Sequence, residues 1–185
     1  MKKQPSSRRS FLQKAALVTA GATLLSGTKT AASVFNFNPN NTGYNPYTDN
    51  KTDLRTAFST AASVRVQGRV IDKHTQLPLA NAKIEVWHIS PGSSKVRHRA
   101  HFYTDATGAY SFITDEPGQT KEFAQRIHFK ISSGSRVEQT QLILGAYNAY
   151  IDNKHWDRQQ AYNDSVLPKV SNNGVNKKIT FVNAL

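Results

Sequence analysis

Between Val64 and Ser132, apolar residues recur at every second position in short runs, and clusters of Asp, Gly and Pro cut each run. Val64, Val66, Gly68 and Val70 share one face of the first run, and Ala82, Ile84 and Val86 share a face of the second. Ile127, Phe129 and Ile131 repeat the pattern further on. The breaks are Asp72 to Pro78, Asp105-Ala-Thr-Gly108 and Asp115-Glu-Pro-Gly118. Successive side chains on a strand point to opposite faces, so period-two spacing buries one face while turn residues end the strand. The pattern predicts an all-β chain, an antiparallel β-sandwich over residues 63–185.

The expected strands are Val64–Ile71, Asn81–His88, Ala109–Thr114, Arg126–Ser132, Gln139–Leu144 and Lys178–Val182, with His101–Thr104 leading into the hairpin turn at Asp105–Gly108. Trp87 is expected at the sandwich edge. Asn148–Tyr162 reads as polar and irregular, with a helical turn or two around His155-Trp156.

The 185 residues are one domain's worth of chain, and the formal charge is +12. Six of the 24 basic residues (Lys2, Lys3, Arg8, Arg9, Lys14, Lys29) and no acid fall in residues 1–33, so the remainder carries +6. That mild excess suits an acidic small molecule, an anionic envelope surface or a solvated face. No aromatic-basic pattern of a nucleic-acid interface stands out, and no nucleic-acid partner is expected. The absence of Cys excludes a disulfide framework and a thiolate metal site.

Residues 1–33 read as an address. Ser7-Arg8-Arg9-Ser10-Phe11-Leu12-Gln13-Lys14 precedes an apolar run, Ala15–Leu25, and small residues to Ser33. A basic start, a short apolar centre and a small-residue exit describe a secretory signal too short to span a membrane. The paired arginines before Phe-Leu match the twin-arginine signal. The expectation is export to the periplasm or beyond, with no stable membrane anchor after cleavage. Residues 34–62 then read as an Asn/Pro/Gly-rich extended tether or draped segment. A short helix is plausible over Asp53–Ala62, with Leu54, Ala57, Phe58 and Ala61 at helical spacing.

VQGRVIDKHTQLPLANAKIEVWH, TDATGAYSFIT, EPG, RIHFKIS and QTQL, in that order over residues 64–144, together resemble the intradiol ring-cleavage dioxygenases. ITFVNAL resembles that family's last strand. The first half of the match also fits transthyretin-like modules, which are structural or binding units. Trp87-His88, the RIHF strand and Thr140-Gln141 favour the dioxygenases.

The resemblance implies a ferric ion held by two tyrosines and two histidines, since hard Fe(III) favours phenolate oxygen with imidazole completing the set. A catechol then chelates the metal and its ring opens between the hydroxyl-bearing carbons. Carried over by motif, the first tyrosine falls at Ser94, or at Lys95 without a gap. The second falls at Thr120, after Pro117-Gly118. The first histidine falls at Arg126, and His128 alone is kept as a metal ligand. An arginine expected upstream aligns with Phe123. Fe(III) is therefore expected to be absent.

Arg126 places a guanidinium in the former metal position, where it suits a carboxylate or phosphate, or else pairs with Glu122 or Glu138. His98-x-x-His101 has ligand-like spacing, but on a strand the two would face opposite ways. Tyr110 is expected in the core. Three readings follow. The first is an exported dioxygenase-like protein, compatible with an oligomer, reused to bind an aromatic or anionic ligand or a partner. The second is an active Fe(III) intradiol dioxygenase acting on a catechol-type aromatic, with ligands such as Tyr103, His101 and His128. The third is a transthyretin-like structural module.

Overall fold

The computed structural model describes residues 43–121, 124–151, 167–173 and 176–185. The expected signal segment, the expected tether before Gly43 and the stretch around His155-Trp156 lie outside the described residues. Nine strands follow one another: β1 (Ser63–Ile71), β2 (Lys83–Ile89), β3 (Val96–Tyr103), β4 (Ala109–Asp115), β5 (Arg126–Ser133), β6 (Arg136–Leu144), β7 (Ala149–Ile151), β8 (Lys169–Asn173) and β9 (Asn176–Ala184). No helix occurs among the described residues.

The strands form two sheets, ordered β4-β1-β9-β8 and β3-β2-β5-β6-β7. All pairings are antiparallel except β1 with β9, where the final strand returns beside the first in the same direction. The expected alternation is realised. Val64, Val66 and Val70 of β1, Ile84 and Val86 of β2, and Ile127, Phe129 and Ile131 of β5 are all buried between the sheets. Phe112 meets Phe129 edge-on at 6.0 Å between ring centroids, and Phe129 meets Phe181 at 5.7 Å. Each such fully buried side chain contributes roughly 1.5–3 kcal/mol from apolar burial.

The turns also follow from sequence. Asp105 accepts the Thr107 and Ala109 amides, and Gly108 takes φ +70°, a left-handed conformation that glycine adopts without penalty. Gly68 is needed for another reason: a Cβ there would lie 1.7 Å from the Phe181 carbonyl oxygen on β9. Tyr110 is a core residue as expected, its hydroxyl donating to Phe181 O at 3.0 Å and accepting from Asn183 Nδ2.

The described part of the tether, from Gly43, is a strap. His101 N donates to Asp49 O and Lys51 N to His101 O, while Ile113 N donates to Thr52 O and Leu54 N to Ile113 O. β3 and β4 are edge strands of opposite sheets, so this segment covers an edge of each, where open backbone groups would otherwise invite foreign pairing. The helix expected over Asp53–Ala62 does not form. Leu54 is drawn into the core, and Asp53 turns back to accept the Arg55 amide. The Thr56 amide is taken by the Asp115 carboxylate, and the chain reverses at Ala57-Phe58. Tertiary partners claim the backbone groups a helix would use.

Candidate ligand site on the outer face of the five-stranded sheet

Alternation assigns each functional side chain to a face. On β2, Ile84, Val86 and His88 point into the core, which sends Glu85 and Trp87 to the outer face. On β5, Ile127, Phe129 and Ile131 point inward, which sends Arg126, His128 and Lys130 outward. Register places Trp87 opposite His128, His128 opposite Gln141, and Lys130 opposite Gln139.

Trp87 is not at an edge. It lies on the outer face of the second strand of five and is 2% exposed, because Tyr44 from the strap covers it. Tyr44 and Trp87 rings are 5.1 Å apart, and Trp87 stacks on His128 at 5.2 Å with the planes only 7° from parallel. Beside this aromatic column is a charged cluster. Tyr44 Oη donates to Glu85 Oε1 at 3.1 Å and accepts from Lys130 Nζ at 2.7 Å. Lys130 and Lys83 reach Glu85 from either side, each at 3.3 Å. Burial works against the Lys130 charge, but the Tyr44 hydrogen bond and the Glu85 carboxylate outweigh it and hold its pKa above the ordinary lysine value.

Arg126 stands at the other end of the column, half-buried. Its Nη1 donates to Gln141 Oε1 at 2.9 Å and its Nε to Ala124 O at 3.3 Å, which fixes the plane of the guanidinium. Of the two acids offered by sequence, Glu122 lies outside the described residues, as does Phe123. Glu138 is opposite Ile131, five residues along β5 from Arg126. At about 3.3 Å per residue that is roughly 16 Å, too far for an ion pair.

The other histidines are spoken for. His88 is fully buried; its Nδ1–H donates to Ile89 O at 2.8 Å, so Nε2 accepts the Thr114 hydroxyl at 2.6 Å. Burial drives its pKa down to about 3, and the ring is neutral. His98 stacks on it at 4.6 Å and spans Ser90 Oγ at 2.9 Å and Asp115 Oδ2 at 2.9 Å. Burial would raise the Asp115 carboxyl, yet the Thr56 amide and His98 hold its pKa below the ordinary aspartate value. His98 and His101 point to opposite faces of β3 as expected; His101 bonds Thr48 outside.

The alternative ligand set is not brought together. His101 is opposite Glu85, which is opposite Lys130, so β2 separates His101 from β5, and Tyr103 lies a further pair along, opposite Lys83. Among the described residues no three His, Cys, Asp or Glu side chains gather as metal ligands. A fixed cation two residues from His128 on the same face, with Ser94 exposed in the β2–β3 turn, does not fit a ferric ion. Sequence reasoning missed Tyr44, Glu85, Lys130 and Gln141. Alternation puts Glu85 on the face of Trp87 and Lys130 on the face of His128, but bringing these two and Gln141 together needs the strand register. Tyr44 carried no such signal.

No protein-family model matches the chain, and no curated protein matches it. Solved structures do. The dioxygenase domain of a dioxygenase carbohydrate-binding protein fusion from Streptomyces sp. SirexAA-E superposes with a TM-score of 0.59 at 23% identity, over 77% of this chain and 91% of that one. An intradiol ring-cleavage dioxygenase from Tetranychus urticae gives 0.56 at 13% identity, over 76% and 88%. Catechol 1,2-dioxygenase from Pseudomonas arvilla C-1 gives 0.54 at 21% identity, over 77% of this chain and 59% of that one. The chain has the intradiol dioxygenase fold.

Proposed function

We propose that this chain is an exported binding protein on an intradiol dioxygenase scaffold, taking a small aromatic or anionic ligand, and that it does not cleave rings. The observation that carries this reading is Arg126 on the outer face beside His128, its guanidinium oriented by Gln141 and Ala124. A planar, permanently charged fork held in one orientation suits a carboxylate and repels a metal cation. The half-buried ring of His128, stacked on the covered Trp87, is the aromatic surface beside it against which a ligand ring would pack. The twin-arginine pattern at Arg8-Arg9 supports export to the periplasm or beyond.

Titrating benzoate and dihydroxybenzoate against the wild type and Arg126→Ala tests this. Saturable binding that weakens at least about tenfold in the variant is expected, the loss of one charge-assisted contact. Equal affinity in both proteins, or no binding in either, would remove this site.

A further inference from the structure

The opposite outer face, on the four-stranded sheet, has a different character. With Val64, Val66 and Val70 turned inward, β1 presents Arg65, Gln67 and Arg69 outward. The parallel register sets Lys178 beside Arg65 and Thr180 beside Gln67, and β8 adds Lys169 opposite Thr180 and Ser171 opposite Lys178. Ser111 of β4 lies on the other side of Gln67. Among the described residues no carboxylate is within ion-pair distance of Arg65, Arg69, Lys169 or Lys178.

A groove of about 570 Å³ runs over this face, lined among others by Gln67, Arg69, Tyr103, Asp105, Ser111 and Thr180. Tyr103, 46% exposed, is the large aromatic on its rim.

We infer that this groove binds a carboxylated polysaccharide chain of the uronate type. The groove offers an aromatic ring for the apolar face of a pyranose. Amide and hydroxyl groups stand ready for ring hydroxyls, the Asp105 carboxylate can accept from them, and Arg69 faces a uronate carboxylate within the groove, while Arg65, Lys169 and Lys178 continue the cationic face beyond it. Arg65 and Arg69 are four residues apart on one strand, about 13 Å, so the cations form a ladder suited to an extended chain rather than to a point ligand. The interleaved hydroxyls favour a sugar chain over a bilayer, which would call for protruding apolar side chains. A single rim aromatic offers little stacking for the bases of a nucleic acid.

Affinity electrophoresis and calorimetry of the full chain with polygalacturonate, cello-oligosaccharides, dextran sulfate and single-stranded DNA test this. Polygalacturonate is expected to bind best. Arg69→Ala and Tyr103→Ala should each weaken it about tenfold or more, on the scale of one charge-assisted or stacking contact. Arg126→Ala should leave it unchanged, which separates this groove from the site on the other sheet. Both substituted side chains are exposed, and a melting curve confirms that the variants fold. No binding to polygalacturonate would overturn the inference. So would binding indifferent to Tyr103→Ala and equally strong to dextran sulfate or DNA, the behaviour of bare charge.

Discussion

Two clusters of histidine and charge flank the same sheet, and they are built to opposite specifications. Between the sheets, His88, His98 and Asp115 are buried, and both nitrogens of each ring have a partner within the chain. On the outer face, His128 and Arg126 are half-buried, and His128 stacks on Trp87. The inner cluster closes on itself: Ser90, Thr56 and Thr114 absorb its hydrogen-bonding capacity, and through Thr56 it pins the strap to β4. The outer cluster lies at a half-buried surface, with the Arg126 guanidinium held by Gln141 and Ala124. A buried, fully paired polar network specifies structure, whereas a charged group held in one direction at a half-open surface is poised to meet something else.

Substitution should break this contrast most sharply at His98. His98→Ala leaves Asp115 buried without its ring partner and should cost about 3 kcal/mol of unfolding free energy, against about 1 kcal/mol or less for His128→Ala, which loses a ring stack. Urea denaturation of the two variants reads the difference directly. Comparable losses would mean that the outer histidine is as structural as the inner one.

Next in size is the lid over Trp87. Lys130→Met removes one of two ammonium partners of the buried Glu85 carboxylate and should cost about 2 kcal/mol, while Tyr44→Phe deletes one hydroxyl and should cost about 1 kcal/mol. The tryptophan emission of both variants should shift to longer wavelength as the cover loosens.

The pH dependence is the finest probe. His88 is depressed from 6.5 to about 3 in the folded chain. The unfolded chain therefore takes up a proton below pH 6.5 that the folded one refuses until about 3. Stability should fall as pH drops through that window, by up to about 1.4 kcal/mol per pH unit from this group. Asp115, also depressed, acts in the same direction below the ordinary aspartate value. His88→Gln should flatten the slope between pH 6.5 and 4, and an unchanged slope would assign it to other groups.

How far sequence reached depended on where each residue's partner lay. The core strands were legible because Val64, Val66, Ile84, Val86, Ile127, Phe129 and Ile131 carry their own alternation. β3 was seen only at its end. VRHRAHFY sends Arg97, Arg99 and His101 outward and offers His98, Ala100 and Phe102 inward, so its alternation is mostly polar. β7 and β8 were both missed: Ala149–Ile151 falls in the stretch expected to be irregular, and KVSNN is an edge strand with Val170 as its one apolar residue. Trp87 was misplaced to an edge because its cover, Tyr44, comes from 43 residues upstream in an Asn/Pro-rich stretch with no periodicity. The helix over Asp53–Ala62 was a local preference overruled by Leu54 burial and the Asp115 carboxylate. Arg126 and His128 could be placed on one face from sequence, but their neighbours Gln141, Lys130 and Glu85 needed the register.

The most direct test of a binding role on this fold is oxygen consumption with catechol after the purified full chain has been incubated with iron and desalted. A binding protein on this scaffold is expected to be colourless, to retain no stoichiometric iron and to consume no oxygen. A red protein holding one iron per chain and consuming oxygen as catechol disappears would contradict this, and would mean that the iron takes tyrosine ligands from residues other than those beside His128.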